Sequence, residues 1–197
     1  MSILRVDQRN LQTIVKMMVK SIKQGEVMVC PTDTVYGLIA DATNEKSVKK
    51  LLKIKKRNAQ KPIPIFVKDL KTAKKFALIN KNKEKFLKKV WPGKVTVVLK
   101  RKKIKTSLYG IAKKTIGLRI PDYKLLNVLL KKLNFPLAET SANIFGKPAS
   151  NNIKEVISQF KNQKFQSDLI VDAGNLKPGK PSIVLDLTIW PPKILRL

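Results

Sequence analysis

Short runs of branched apolar residues alternate with amphipathic helical stretches along this chain, and that alternation restricts it to an α/β architecture with a mixed sheet. Leu11, Ile14, Val15, Met18, Val19 and Ile22 recur at helical spacing, and Gly25 follows where a helix C-cap belongs. Val27-Met28-Val29 then reads as a buried strand. The exchange repeats. Asn44 can cap a helix carrying Val48, Leu51, Leu52 and Ile54, and Ile63-Pro64-Ile65-Phe66-Val67 reads as a short strand whose prolines place it at an edge or a strand start. Asp69 opens a helix through Ala73, Phe76 and Ala77, and a basic helix runs on to Val90. Beyond Trp91-Pro92-Gly93, strands are expected at 95–99, 115–121, 136–138, 168–172, 182–186 and 193–196. Helices are expected at 123–133 and 153–160, the second capped by Asn151 or Asn152, whereas lysine-rich 100–114 reads as a mobile loop. No repeat or linker interrupts the pattern, so one domain over 1–197 is expected.

The first strand end is chemically rich. Cys30-Pro31-Thr32-Asp33-Thr34-Val35-Tyr36-Gly37-Leu38 gathers hydroxyls, a carboxylate and backbone N–H groups where a strand gives way to a loop. Ligands of open α/β proteins bind beyond the carboxyl ends of strands. The same residues serve equally well to cap a strand-to-helix turn, and turn capping is the expectation for Asp33.

Composition narrows the chemistry. Cys30 is the single cysteine of 197 residues and histidine is absent. That excludes a disulfide, a cysteine zinc cluster, Ser-His-Asp and Cys-His machinery and histidine-ligated metals. Chemistry must then rest on positioning, carboxylates, hydroxyls, lysines or a group borne by the substrate. A formal net charge of +29 favours nucleic acid, nucleotide or polyphosphate partners. Of 42 basic residues only six are arginine (5, 9, 57, 101, 119 and 196), and the spread of lysine also reads as codon bias. The arginines, with their rigid donor forks, are therefore the informative cations. No apolar run approaches the roughly 18–20 residues of a membrane span. The N-terminus carries charge where a signal peptide needs an apolar core, so a cytoplasmic location is expected.

One apparent motif is a decoy. Gly174-Asn-Leu-Lys-Pro-Gly179-Lys180-Pro181 nearly spells a phosphate loop, but Pro181 stands where a hydroxyl must reach the metal. The strand-like Ser182-Ile-Val-Leu185 follows it in place of a helix, so a glycine turn between strands is expected. A better polyphosphate set is Lys55-x-Arg57 at a helix end with Ser141-x-Asn143 just after a strand: a point charge, a fork and two neutral hydrogen-bonding side chains. Each half alone reads as a solvated helix end or a turn. Their value is in combination.

Six motifs in order carry a family resemblance: Pro31-Thr-Asp-Thr-Val-Tyr-Gly-Leu38, Lys55-x-Arg57, Trp91-Pro-Gly-Lys-Val-Thr96, Leu118-Arg-Ile-Pro-Asp122, Thr140-Ser-Ala-Asn-Ile-Phe-Gly146 and Ser182-Ile-Val-Leu-Asp-Leu187. The chain thereby resembles YrdC-domain proteins and is similar to the TsaC-type threonylcarbamoyl-AMP synthases, from the first helix to Arg196. The resemblance implies an α/β fold with a YrdC-like twisted mixed sheet, flanking helices and a concave basic cleft, in single-domain form. It implies that L-threonine, bicarbonate or CO2, and ATP yield threonylcarbamoyl-adenylate and pyrophosphate. The product would feed threonylcarbamoyladenosine formation at position 37 of tRNAs reading ANN codons, through TsaB/TsaD/TsaE-type transfer machinery.

Residue roles are implied in the same way. Lys55, Arg57, Ser141 and Asn143 would hold the nucleotide phosphates and carry catalysis, with Lys61, Thr115, Ala149 and Arg196 also near ATP. Thr34, Tyr36, Phe66, Arg119, Glu139 and Ser182 would surround L-threonine, Arg119 pairing with its carboxylate. Mg2+ is implied as the companion of ATP, with no protein-built metal site expected. The chain departs from the family pattern at Asn58, where proline is frequent, at Lys61, where many members have asparagine, and at Phe66, where many have histidine. The implied reaction suits a chain without histidine, because its nucleophile, a carbamate, is already anionic. Two other readings exist. A basic module binding tRNA, double-stranded RNA or rRNA without catalysis is favoured by charge but not by an aromatic content of 6%. A carbamoyl-transfer enzyme with another acceptor is conceivable, though relatives of that kind lie inside larger hydrogenase-maturation proteins.

Overall fold

Side-chain oxygens fix most of the helix starts. Asn44, Asp69, Asn80 and Asn152 accept the backbone N–H of Ser47, Thr72, Lys83 and Lys154, opening α2 (Glu45–Lys55), α3 (Leu70–Phe76), α4 (Lys81–Val90) and α6 (Ile153–Phe160). The computed structural model describes residues 2–7 and 9–197. In it, α1 (Leu11–Lys23) ends as expected at Gly25, whose φ of +82° suits glycine, and α5 (Lys124–Lys132) completes the helices.

The strands are β1 (Ser2–Arg5), β2 (Met28–Cys30), β3 (Gly37–Asp41), β4 (Ile65–Phe66), β5 (Val95–Lys100), β6 (Thr115–Arg119), β7 (Leu137–Ser141), β8 (Leu169–Asp172), β9 (Ile183–Asp186) and β10 (Lys193–Arg196). They form one mixed sheet in the order β1-β8-β2-β3-β7-β4-β6-β5-β9-β10. β1 has no counterpart in the sequence pattern; it is short and mostly exposed, and pairing with β8 (Ser2↔Leu169 to Arg5↔Asp172) defines it. Cys30 pairs antiparallel with Gly37, so 31–36 links two neighbouring strands and is not a strand-to-helix turn. Segment 174–181 joins β8 to β9 without a helix, as expected of a false phosphate loop.

Register divides the sheet into two faces. Val29, Leu38, Ala40, Ala138, Ile65, Leu118 and Val97 share one side, in a core with Val48 and Leu51 of α2, Ala73 of α3, Leu87 of α4 and Val156 of α6. Met28, Cys30, Ile39, Leu137 and Phe66 share the other side, in a separate core with Met18 of α1 and Leu126 and Leu129 of α5. Fully burying each valine, leucine, isoleucine, phenylalanine or methionine among them contributes roughly 1.5–3 kcal/mol. That second cover ends at β4. Farther along the same face, Arg119, Gly117, Thr115, Thr96, Val98 and Val184 line a cavity to which no helix contributes. Small residues leave the volume there: a Cβ on Gly117 would already lie 3.6 Å from Pro64 Cα.

Residues 100–114 carry little regular structure, in keeping with their weak pattern, but they are anchored, which corrects the expectation of a mobile loop. Leu108 is buried, Ile63 N–H donates to Gly110 O (2.8 Å), and Tyr109 N–H donates to Ala42 O (3.0 Å). Among the described residues no helix is long and apolar enough to cross a membrane.

Candidate active site

The cavity, about 280 Å³, lies between the 31–36 loop, Pro62 to Pro64, the open face of β6, β5 and β9, and the end of β7. Its two ends differ in chemistry.

At one end the KxR and SxN halves meet. Lys55 closes α2 and is only 3% exposed; its Nζ reaches the end of β7, donating to Ser141 O (2.6 Å), Ser141 Oγ (3.0 Å) and Asn143 Oδ1 (2.5 Å). Asn143 Nδ2 donates in turn to Ile144 O (3.0 Å) and Lys147 O (2.6 Å), so the amide is fixed on both sides. Lys56 adopts the left-handed conformation, φ +52°, and this reversal carries Arg57 away from the helix and onto the cavity wall. Arg57 is steadied by the carbonyls of Lys61 (3.2 Å) and Pro62 (2.9 Å). Arg196 reaches the same cavity from β10, its Nε and Nη2 donating to Ser182 O at 3.1 and 2.7 Å.

These cations crowd one another. Burial lowers the Lys55 ammonium to about 7, Glu139 opposes that shift, and Arg57 and Arg196 deepen it. Arg57 is held below its ordinary value by burial and then by Arg196. Among the described residues none of Lys55, Arg57 and Arg196 has an ion-pair partner. Cations brought together with no carboxylate in ion-pair contact suit an anion with several charges.

A left-handed non-glycine residue costs roughly 1–2 kcal/mol. Lys56→Gly is therefore expected to stabilise the fold by about 0.5–1 kcal/mol, after the entropic loss of glycine in the unfolded chain. A urea melt reads the gain, and a midpoint unchanged or lowered would refute it.

At the other end stands Arg119, 1% exposed. Its Nε donates to Gly93 O (3.0 Å), Nη1 to Thr34 Oγ1 (3.4 Å), and Nη2 pairs with the buried Asp33 carboxylate, while the Phe66 ring lies 5.5 Å from the guanidinium carbon. Asp33 also accepts the N–H of Asp122 at 3.0 Å, so it bridges strand end and loop and orients the arginine; the expectation of a turn-capping role is corrected. Three of the five guanidinium N–H groups are used in this way, leaving two for a ligand. Thr32 and Thr34 share a hydroxyl contact of 2.9 Å, as do Thr96 and Ser182.

Of the residues singled out from sequence, Thr34, Arg57, Thr115, Arg119, Glu139, Ser141, Ser182 and Arg196 line the cavity. Lys55 and Asn143 stand directly behind Ser141. Tyr36 does not wall the cavity: it is fully buried, its hydroxyl donating to Gly174 O (2.7 Å) and accepting from Ala173 N–H (3.1 Å). Phe66 is also displaced from the wall, because it belongs to the α1/α5 core and touches the site only through Arg119. Lys61 is exposed outside the cavity, its ammonium 4.7 Å from the Phe145 ring, and Ala149 is likewise absent from the lining. Thr96 lines the cavity without a role expected from sequence, and Asp33, expected to cap a turn, instead orients Arg119; its place beside Thr34 was the available signal.

Comparison with known proteins gives the family. The Sua5/YciO/YrdC family model, described as telomere recombination, matches residues 20–197. A putative threonylcarbamoyl-AMP synthase of Methanocaldococcus jannaschii is 33% identical over 94% of this chain and 86% of its own length. The crystal structure of Pyrococcus abyssi Sua5 complexed with L-threonine superposes with a TM-score of 0.90 at 31% identity, over 100% of this chain and 57% of that one. The chain thus spans little more than half the length of that relative. Escherichia coli YciO superposes with a TM-score of 0.84 at 25% identity, over 99% of this chain and 93% of that one. With its ten-stranded mixed sheet, its open face and its motifs in series, the chain belongs to the Sua5/YciO/YrdC family.

Proposed function

We propose that the protein is an L-threonylcarbamoyladenylate synthase, a nucleotidyltransferase, and that the cavity is the concave basic cleft in which ATP and L-threonine meet. The observation that carries this reading is the two-ended cavity. Cations without carboxylate partners (Arg57 and Arg196, with Lys55 just behind) suit a triphosphate, and Arg119, with two spare donors beside the Thr34 hydroxyl, suits an α-carboxylate. The names of the M. jannaschii and P. abyssi relatives point the same way.

In this reading Arg119 forks onto the threonine carboxylate, with the hydroxyls of Thr34 and Ser182 alongside. The amine takes up CO2 derived from bicarbonate, and the carbamate oxygen attacks the α-phosphorus as pyrophosphate departs toward Arg57 and Arg196. Ser141 Oγ faces the cavity with Lys55 at its back, so the charge of Lys55 acts at short range on the phosphates. Catalysis comes from alignment and from cations placed where charge develops. Mg2+ accompanies ATP, and with Glu139 the single carboxylate among the lining residues, such an ion would take most of its oxygens from phosphate and water. The product serves tRNA modification through TsaB/TsaD/TsaE-type partners.

Purified protein is expected to release pyrophosphate from ATP only when L-threonine and bicarbonate are both present. Release indifferent to threonine, or none, would overturn this reading.

A further inference from the structure

The resemblance sets Glu139 beside L-threonine, but the reading above gives its carboxylate no part in the chemistry. It lies on β7 opposite Ile39, and its backbone N–H is tied to Pro64 O at 3.0 Å, so the side chain is directed by the sheet. The register puts it on the same sheet face as Phe66 and Arg119. The residue is 7% exposed, lines the cavity, and its carboxylate has no hydrogen-bond or ion-pair partner among the described residues. The charges of Arg119, Lys55 and Arg196 favour its ionised form, and that of Asp33 opposes it. Its oxygens are open to the cavity and not sealed in the core, so the carboxylate can take a cationic group that enters there.

Resting on the proposed synthase reading, we infer that Glu139 anchors the ammonium group of the amino-acid substrate and takes its proton. With the substrate carboxylate on Arg119, an ammonium one carbon away is the cation that fits a carboxylate on the same face. Proton transfer turns Glu139 into a carboxylic acid and the ammonium into an amine whose lone pair is free. The lone pair forms the N–C bond to CO2, a second N–H proton leaves to water, and the carbamate anion remains. Burial, with a smaller push from Asp33, raises the Glu139 carboxyl above its ordinary value against the opposing pull of Arg119, Lys55 and Arg196, which makes it a better base than an exposed glutamate.

The test compares wild type with Glu139→Gln, which keeps shape and removes charge, using L-threonine and its deaminated analogue 2,3-dihydroxybutanoate as calorimetric probes. Wild type is expected to prefer threonine over the analogue by more than about tenfold, and Glu139→Gln to lose that preference, in line with the worth of a charge-assisted hydrogen bond. In turnover, kcat/KM for threonine is expected to fall about 10²–10⁴-fold, as for loss of a general base, and its acid limb to disappear. An unchanged preference, or a variant that keeps both the rate and the acid limb, overturns the proposal. Glu139-dependent threonine binding without pyrophosphate release would refute the synthase reading and leave the amine anchor standing. No threonine binding by wild type would overturn both.

Discussion

Replacing Arg119 by alanine is expected to cost roughly 3–5 kcal/mol of folding stability and to abolish saturation by L-threonine. The stability loss follows from Asp33, whose side chain is 6% exposed and would lose its cation while staying buried. Removing one member of a buried pair is more damaging than removing both, so Asp33→Ala added to Arg119→Ala should recover part of the loss in a denaturant melt. Arg119→Lys separates fold from function. Lysine keeps a charge near Asp33 but cannot span Gly93 O, Thr34 Oγ1 and Asp33 while presenting a fork to a carboxylate. It is expected to fold, with a KM for threonine raised about tenfold or more and a KM for ATP within about twofold. A lysine variant whose threonine KM matches wild type would remove Arg119 from the binding site.

The second large effect belongs to Lys55. Lys55→Met keeps the length of the side chain and is expected to lower kcat/KM for ATP by about 10²–10³-fold, the size of losing one electrostatic donor at a site of developing charge. The pH dependence distinguishes charge from packing. Because burial lowers the folded-state value to about 7, the unfolded chain binds the extra proton between about 7 and the ordinary lysine range, and stability from this site rises with pH over that window. Function runs the other way: ATP affinity should weaken as pH climbs through and above 7, because the positive charge behind Ser141 is lost. Bound triphosphate favours the charged form, so the midpoint in the complex should lie above that of the free protein. KM for ATP measured from about pH 6 to 9 should therefore rise in wild type and stay flat in Lys55→Met. A wild-type profile without that rise would show that the charge of Lys55 does not act on the nucleotide.

The sequence by itself determined the elements and their chemistry. Helical periodicity from Leu11 to Ile22, the caps at Asn44 and Asp69, and the strand ending at Cys30 are local features that appear where the pattern puts them. β6 stops at Arg119, short of the expected Pro121, and Asn152 is the one of two candidate residues that caps α6. The series of motifs also identified the family, because residue types held at fixed local spacing survive without knowledge of their contacts. Tertiary structure decided what those residues face. Tyr36 and Thr34 are two apart, yet one is pinned to Gly174 inside the core and the other opens onto the cavity. Both lie in the irregular loop between β2 and β3, where the period-2 alternation of a strand does not hold and the loop path directs each side chain. Asp33 reads as a turn cap until the fold brings Arg119, distant in sequence, onto its carboxylate. Lys55 and Ser141 lie 86 residues apart and form one polar unit only because α2 ends against the tip of β7. The emptiness of the cavity has the same origin: α1 and α5 cover the sheet face only as far as β4, a consequence of strand order that no single segment encodes.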